Sequence, residues 1–580
     1  MSRRKAFGLD NQTIARTLGE IADLLEIKNE NPFKIRAYRN GADIAANHPH
    51  QLATLDLPAL REIPGIGKDL AARIREMSET GGCAYHQELV AEFPATVLDL
   101  LHLQGVGPKT VATFYRELHV RTIDDLEQAA KSGRVRALRG MGAKKEALIL
   151  KALEERKRFA GRHLLSEATE AASGVAAYLR EFSPAATIDV VGSLRRGCDT
   201  CGDLDLLASG ASAELMDAFV RYPLVERVLG RGDTKSSVLV RRGFQVDLRL
   251  VAHDSRGAAL QYFTGSKAHN IALRDRAIGL GLKLNEYGVF RLADEAKVAG
   301  VTEEEVYAAL GLELVPPELR EDRGEIVRAA DRSLPRLLER TDVRGDLHVH
   351  TSESDGRDDL ADMLRAAADA GLEYVAVTDH TQSLTMANGL DESRALAHAA
   401  RIRALDRRHG IRVLAGVECD ILPDGSLDLD DDCLAALDLV VASVHSAFNQ
   451  DRREMTDRFL RAIENPHVDI IAHPTGRMLL KREPYAVDIE AVVDAAARQG
   501  VALEINSQAH RLDLNDVNAT LARDRGARIV ISSDAHSRQG FDALAWGVIV
   551  GRRAWLEPRH VANTLPFDAF KAGLRRNRAR

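Results

Sequence analysis

Residues 345–380 read GDLHVHTSESDGRDDLADMLRAAADAGLEYVAVTDH, and this stretch sets the architecture of the C-terminal part of the chain. A short apolar strand ends in His348 and His350, an amphipathic helical segment follows, and a second apolar strand ends in His380. The apolar spacing changes from that of a strand to that of a helix and back. The stretch therefore predicts one β-α-β unit with reactive side chains at the carboxyl ends of its strands.

The same alternation continues to the C-terminus. The apolar segments RVLAGVE, DLVVASVH, DIIAHP, ALEIN and RIVISSDAH follow in order, with helical segments between them. Such alternation over residues 341–580 predicts a parallel barrel of the TIM type or a relative of it. Barrels of this kind place their chemistry at the carboxyl ends of the strands, where these segments carry His, Asp or Glu.

The barrel region is rich in candidate metal ligands. It contains 11 of the 19 histidines, and His348 and His350 project from one face of a strand. Mixed imidazole and carboxylate donors suit Zn²⁺ or Mn²⁺ better than Mg²⁺. Each residue alone is more often an ordinary polar side chain. Five further histidines, at positions 398, 409, 467, 510 and 560, are interpreted as surface or helix residues. The nine candidate ligands are His348, His350, Asp355, His380, Glu418, His445, His473, Asp534 and His536.

A second group of carboxylates lies upstream, in GSLRRGCDTCGDLD at 192–205 and FQVDL at 244–248. Asp203 and Asp205 alternate with Leu204 and so share one face of a strand, and Asp247 lies on another probable strand. Oxygen ligands suit hard divalent cations, and two such cations can promote phosphoryl transfer. The Gly192-Ser193 turn and Arg196 are suited to holding a triphosphate. An exposed acidic strand edge is the alternative for the Asp-x-Asp pair alone.

Residues 1–160 read as short amphipathic helices without convincing strands. Three G-x-G turns recur at PGIGK (64–68), QGVGPK (104–109) and RGMGAK (139–144). Such turns expose backbone N–H groups at helix N-termini and can bind phosphate without reading base sequence. Glycine helix caps are the alternative. A stripe at 131–160 adds 10 basic against 3 acidic residues, although a solvated helix would also explain it. The predicted DNA contacts are Gly65, Gly67, Lys68, Gly105, Gly107 and Lys109.

Taken in order, these motifs resemble the bacterial and archaeal family X DNA polymerases that carry a C-terminal PHP domain. The resemblance implies an N-terminal all-α helix-hairpin-helix region, an α/β nucleotidyltransferase palm plus thumb, and a distorted (β/α)7 TIM-like PHP barrel. It divides the chain into an 8 kDa-like domain (1–90), a helix-hairpin-helix subdomain (91–160), a palm (161–260), a thumb (261–315), a linker (316–340) and a PHP domain (341–580).

The resemblance also assigns roles to residues. It makes Asp203, Asp205 and Asp247 catalytic, places Lys34 and Tyr38 at a 5′-phosphate, and places Arg274 at the template. Arg73 stands where lyase-active relatives carry a nucleophilic lysine, and arginine is a poor amine nucleophile. The residues implied to bind the nucleotide are Gly192, Ser193, Arg196, Gly202, Tyr262, Phe263, Gly265 and Asn270.

The implied function is template-directed DNA synthesis that fills short gaps during repair, with Mg²⁺ or Mn²⁺ at the palm. The partners are gapped or primer-template DNA and dNTPs. The PHP domain would add a 3′–5′ exonuclease, or a 3′-phosphatase or apurinic-site endonuclease, with three Zn²⁺ or Mn²⁺ ions. The alternatives are a PHP small-molecule phosphoesterase and a noncatalytic DNA-end scaffold.

Composition sets the remaining expectations. The 580 residues contain no apolar run of the roughly 20 residues that span a bilayer, and the first residues lack a signal peptide. Five scattered cysteines fit a reducing compartment. A cytoplasmic monomer that does not bind membranes is expected.

Overall fold

A computed structural model describes residues 11–47, 52–93, 96–101, 103, 106–159 and 161–577. The chain forms two compact units, residues 1–160 and residues 161–580. Within the described ranges, no helix is both long and apolar enough to cross a membrane.

The first unit is entirely helical where it is described, as its amphipathic pattern predicts. Leu18 and Ile74 belong to one buried apolar cluster, and Phe114 and Leu126 belong to a second. The helices are α1 (Asn11–Lys28), α2 (Pro32–Asn47), α3 (Leu57–Glu62), α4 (Lys68–Thr80), α5 (Ala84–Glu92), α6 (Thr96–Leu101), α7 (Pro108–Glu117), α8 (Ile123–Lys131) and α9 (Gly142–Phe159).

The second unit begins with a mixed sheet of five strands in the order β2-β4-β7-β6-β5. Strands β4 and β7 are parallel, whereas the other neighbours in this sheet are antiparallel. The elements are β1 (His163–Leu164), α10 (Leu165–Phe182), β2 (Thr187–Val190), α11 (Gly192–Arg195), β3 (Thr200–Cys201), β4 (Asp203–Ser209), α12 (Glu214–Val220), β5 (Val225–Arg231), β6 (Lys235–Val240) and β7 (Phe244–Val251).

A smaller α/β layer follows, with a three-stranded antiparallel sheet in the order β10-β9-β8. Its elements are α13 (Arg256–Thr264), α14 (Lys267–Gly279), β8 (Leu282–Asn285), β9 (Gly288–Arg291), β10 (Lys297–Ala299), α15 (Glu303–Ala309) and α16 (Glu325–Ala330).

The segment 316–340, predicted as a linker, is packed rather than extended. Leu319, Ala329 and Leu337 belong to the buried cluster of the smaller layer. Arg320 is fully buried, and its Nη1 lies 2.6 Å from Oε1 of Glu303. The mixed charges of this segment, which favour a solvated tether in sequence, instead pair inside the fold.

Residues 345–532 form seven parallel strands in sequential order, β11 to β17. A parallel bridge between Val349 and Ala535, just beyond β11 and β17, nearly closes this sheet into a barrel. The predicted fold class is confirmed. The elements are β11 (Gly345–Asp346), α17 (Leu360–Asp369), β12 (Tyr374–Val377), α18 (Glu392–Ala404), β13 (Arg412–Asp420), α19 (Asp431–Ala436), β14 (Leu439–Ser443), α20 (Arg452–Glu464), β15 (Ile470–Ile471), α21 (Ile489–Gln499), β16 (Ala502–Asn506), α22 (Asp516–Asp524), β17 (Arg528–Ser532), α23 (Leu544–Arg553) and α24 (Phe567–Gly573).

The mixed sheet and the barrel share one continuous apolar core. Leu204 and Val246 of the sheet belong to the same buried cluster as Val417 and Ile531 of the barrel. The barrel is therefore packed onto the sheet as part of one folded unit.

Glu303 joins the sheet to the smaller layer. Its carboxylate accepts hydrogen bonds from Arg195 Nη2 at 2.6 Å and from Arg320 Nη1 at 2.6 Å. Burial acts to raise the pKa of Glu303, but the two guanidinium groups hold it below its usual value. The carboxylate is thus the counter-charge of a buried arginine.

We expect Glu303→Gln to lower the free energy of unfolding by about 3 kcal/mol, because it leaves Arg320 buried without a counter-charge. Urea denaturation followed by circular dichroism measures the change. The exposed neighbour Glu304 supplies the control variant, Glu304→Gln, which should stay within about 0.5 kcal/mol of the original chain. Equal effects of the two variants would contradict this account.

Candidate active sites in the sheet and the barrel

The acidic residues of the mixed sheet converge because of strand register. Parallel pairing sets Asp205 of β4 directly opposite Asp247 of β7, and Asp203 lies two residues along the same face as Asp205. Leu204 points into the core. Burial raises the pKa of Asp205 to about 6, and the carboxylates of Asp203 and Asp247 add to that rise. Three mutually repelling carboxylates fit a site for hard divalent cations.

Asp247 is held by side chains that the sequence analysis did not single out for this role. Gln245 Nε2 donates to its Oδ1 at 3.1 Å, and Lys235 Nζ lies 3.0 Å from its Oδ2. Burial acts to raise the pKa of Asp247, but hydrogen bonds from Ser237, Lys235 and Gln245 lower it below its usual value. Lys235 comes from the antiparallel neighbour β6, so only sheet register reveals it.

The Gly192 turn lies against these carboxylates. Gly192 has φ +68°, and a Cβ at this position would come within 2.7 Å of Oδ2 of Asp205. A side chain here would be strained and would also displace the carboxylate, so glycine is required. Ser193 is partly exposed in the turn, and Gly202 immediately precedes β4.

Arg196 differs from the free triphosphate ligand that the sequence suggests. Its Nε donates to Oε1 of Glu321 at 3.0 Å, and its Nη1 donates to the Thr264 carbonyl at 2.6 Å. The guanidinium is therefore already paired with residues of the smaller layer.

Helices α13 and α14 carry the other residues implied to surround a nucleotide. The rings of Tyr262 and Phe263 pack edge to face with centroids 5.1 Å apart. Asn270 Nδ2 donates to the Tyr262 carbonyl at 2.7 Å, which fixes the two helices relative to each other. Gly265 ends α13 with φ +70°, and Arg274 is exposed on α14.

At the carboxyl ends of the barrel strands, the nine candidate ligands come together. Eight of the nine form three overlapping groups, and within each group the ligand atoms lie within 4.8 Å of one another. Glu418 is central, because His380 Nδ1 lies 2.9 Å from its Oε2 and His473 Nε2 lies 3.1 Å from its Oε1. The three groups are His350 with Asp355, His380 and His536; His348 with His350 and Asp534; and His380 with Glu418 and His445.

The unsatisfied polar atoms of this cluster fit metal ions. Among the described residues, buried ring nitrogens of His348, His350, His380 and His473 make no hydrogen bond of good geometry, although some of them, such as His380 Nδ1, lie close to a carboxylate oxygen. Buried polar atoms normally find partners, and imidazole nitrogens aimed at carboxylates form the donor set of zinc and manganese sites. Burial lowers the pKa of His350 to about 4, with His536 and His380 adding to the effect, which favours the neutral, ligating imidazole.

The backbone at two of these ligands is in an uncommon conformation. His473 has φ +29° and Asp534 has φ +54°, both outside the region that most side chains prefer. Such strain persists where the surrounding structure over-determines it, and it concentrates at functional sites.

Several carboxylates that the sequence analysis did not select hold the imidazoles in place. Glu504 Oε1 accepts from His348 Nδ1 at 2.9 Å, and Asp420 Oδ1 lies 2.9 Å from His445 Nδ1. Glu504 lies in the ALEIN strand near its carboxyl end, as Glu418 does in β13, so strand position was a usable signal. His398 lies on helix α18 but is buried rather than at the surface, with its Nε2 2.9 Å from Asp379 Oδ2.

In the first unit, the earliest glycine turn faces a cavity of about 670 Å³. Gly65 has φ +90°, and Gly67 is the N-cap residue of α4 and makes no side-chain cap, so backbone N–H groups stay available. Lys34 Nζ donates to Tyr85 Oη at 2.7 Å, and Tyr38 Oη donates to Asp69 Oδ2 at 2.6 Å. Of the predicted contacts, the cavity is lined by Lys34, Tyr38, Gly65, Gly67 and Lys68.

The other two turns are only partly described. Gly107 begins α7 without a side-chain cap, and Lys109 is exposed in its first turn. Gly105 lies outside the described residues, as do Ala160 and the side chains of 155–159 in the basic stripe. Gly142 begins α9, with φ +64°.

Models of known protein families match successive segments of this chain. The helix-hairpin-helix domain matches residues 9–83, the SAM-like helix-hairpin-helix tandem 97–155, the DNA polymerase beta palm 165–240, the DNA polymerase beta thumb 259–321, and the PHP domain 346–508. The fold and sites thus define a polymerase-beta-type palm and thumb joined to a PHP barrel.

Full-length similarity then specifies the family. The DNA polymerase/3′-5′ exonuclease PolX of Bacillus subtilis (strain 168) is 37% identical over 573 residues, covering 98% of this chain and 100% of that protein. The chain belongs to the PolX family of DNA polymerase/3′-5′ exonucleases. A probable phosphatase of Shewanella oneidensis is 34% identical over 211 residues, but these cover only 34% of this chain and 79% of that protein.

We expect Glu504→Gln to weaken Mn²⁺ binding about 10-fold or more, because the carboxylate orients His348 and also accepts the His473 backbone N–H at 2.8 Å. Isothermal titration of the full chain measures this affinity. His409→Ala, outside the cluster, is the control and should bind like the original chain. Unchanged affinity in Glu504→Gln would reject a role for this carboxylate.

Proposed function

We propose that this chain is a template-directed DNA polymerase that fills short gaps during DNA repair and also removes nucleotides as a 3′–5′ exonuclease. The observation that carries the polymerase activity is the pairing of Asp205 with Asp247 beside the Gly192 turn. The substrates are dNTPs and gapped or primer-template DNA.

In the palm, Asp203, Asp205 and Asp247 would hold two Mg²⁺ or Mn²⁺ ions. Such ions, when bound, neutralise charge on the attacking and leaving oxygens of an in-line displacement. Asp247 accepts the proton of the primer 3′-hydroxyl. The Gly192 and Ser193 turn offers N–H and hydroxyl donors to the triphosphate, and Arg196 adds its guanidinium.

The thumb side of the site binds the rest of the nucleotide. Tyr262, Phe263 and Gly265 border the sugar, Asn270 faces the minor-groove edge of the base, and Arg274 contacts the template. Lys267 opens α14 next to these groups and adds positive charge near the nucleotide.

The first unit binds DNA through its backbone phosphates. Lys34 and Tyr38 line one cavity with the first glycine turn, which supports a 5′-phosphate site at the far side of a gap. The turns at Gly107 and Gly142 bind further phosphates without base specificity. The proposed domain boundaries are those at 90, 160, 260, 315 and 340, with 316–340 as a packed segment and not a linker.

The PHP barrel performs the exonuclease reaction, with three Zn²⁺ or Mn²⁺ ions held by its nine ligands. The buried imidazole nitrogens without hydrogen bonds support this assignment. Metal ions at such a site supply Lewis-acid polarisation of the phosphoester. The chain's own contribution is to bury the ligands and to fix the orientation of His348 and His445 through Glu504 and Asp420.

We expect Asp205→Ala to abolish primer extension on a gapped duplex and to leave Mn²⁺-dependent shortening of the same labelled strand within about twofold. The change removes a carboxylate that only the palm uses. Gel analysis of a labelled primer with and without dNTPs measures both reactions.

The converse variant, His350→Ala, should abolish shortening and leave extension within about twofold. Loss of both activities from either single change would contradict two separate sites. A chain that shortens strands but never extends them would favour a phosphoesterase alone, and one that only binds gapped DNA would favour a scaffold.

A further inference from the structure

A chain of alternating charges runs from the PHP barrel to the palm. Arg553, the last residue of α23, donates through Nη2 to Asp516 Oδ2 at 3.0 Å and through Nη1 to Glu321 Oε1 at 3.1 Å. The same oxygen of Glu321 accepts from Arg196 Nε at 3.0 Å. Glu321 is thus shared between a barrel arginine and the arginine assigned to the triphosphate.

Arg553 also holds the backbone of the phosphate turn. Its Nη1 donates to the Arg196 carbonyl at 2.8 Å, and its side chain is only 7% exposed. Beside it, a Cβ on Gly197 would come within 2.3 Å of Ile549 on the same helix. The turn that bears Arg196 is therefore seated directly on helix α23 of the barrel.

A second ion pair crosses the same boundary. Arg477, four residues after His473, lies 2.8 Å from Asp199 in the loop that follows the phosphate turn. The contact between palm and barrel is consequently polar at two points, and both of them involve residues 196–199 of the palm.

We propose that Arg553 is a positioning residue for nucleotide binding in the palm, contributed by the PHP domain. The argument rests on the proposed polymerase function, because it concerns the arginine that would bind the triphosphate. Arg196 must exchange Glu321 for the nucleotide phosphates. Arg553 makes that exchange easier, because it keeps the Glu321 carboxylate compensated after Arg196 leaves.

Removal of Arg553 leaves Glu321 with Arg196 as its remaining guanidinium partner. The Glu321 side chain is largely buried, with 18% exposed, so leaving its carboxylate unpaired is costly and Glu321 would then retain Arg196 more firmly. The nucleotide would have to overcome a stronger pair before it could bind. The consequence is weaker binding of dNTP with little change in the chemical step.

We expect Arg553→Met, which keeps the length of the side chain, to raise the KM for dNTP about tenfold in single-nucleotide gap filling, with kcat within about twofold. The double variant Arg553→Met with Glu321→Gln should return the KM to within about threefold of the original value, because the competing carboxylate is gone. Glu321→Gln alone should lower the KM or leave it unchanged. A purely structural role would not produce this reversal.

The matched control is Arg552→Met on the same helix. Arg552 pairs with Glu318 at 2.7 Å and makes none of the contacts with Arg196. The KM of the Arg552→Met variant for dNTP should therefore be unchanged. Mn²⁺-dependent shortening of single-stranded DNA should stay within about twofold in all these variants.

Several outcomes would overturn the inference. They are an unchanged KM in Arg553→Met, a double variant with a KM no lower than that of the single variant, and an increased KM in Glu321→Gln. If Arg553→Met does not fold, Arg553→Lys and Glu321→Gln still test the role of Arg553. A raised KM for dNTP in Glu321→Gln contradicts that role. If the unsubstituted protein cannot extend a primer at all, the proposed polymerase function is rejected instead.

Discussion

The structure is organised around the cost of crowding titratable groups on neighbouring parallel strands. In the palm, Asp205 and Asp247 are paired by register and repel each other, and burial raises the pKa of Asp205 to about 6. In the barrel, imidazole nitrogens without hydrogen bonds surround the buried carboxylate of Glu418. Neither the cluster of palm carboxylates nor the cluster of barrel imidazoles would stabilise the fold by itself. Both are held in place by strands whose apolar faces form one continuous core.

Arginine–carboxylate networks connect the layers around that core. Glu303 joins Arg195 of the palm to Arg320 of the segment beyond the thumb. Glu321 joins Arg196 to Arg553 of the barrel. Bidentate and shared guanidinium contacts fix orientation as well as charge, so these pairs determine how the turn before β4 is presented. The two candidate active sites are therefore parts of one folded unit.

Functional residues were most predictable from the sequence where a motif coincides with an apolar strand. The nine selected histidines and acids lie in or after the apolar strand segments, and the nearly closed sheet brings them together. Residues that orient another functional side chain were less predictable. Glu504 orients His348 from a neighbouring strand, and Lys235 reaches Asp247 across a sheet pair. The position of Glu504 in an apolar strand marks it as a candidate, but nothing in the local sequence indicates that it pairs with His348 or that Lys235 pairs with Asp247.

The sequence by itself determined the order of the domains, the all-α, α/β and barrel classes, and the candidate ligands, because these follow from apolar periodicity and from short motifs. Only the tertiary structure decided what each polar group pairs with. The segment 316–340 is packed because its charges find partners distant in sequence, among them Arg320 with Glu303 and Arg323 with Asp516. The pairing of Arg196 with Glu321, 125 residues away, depends likewise on how the layers meet, which no local spacing records.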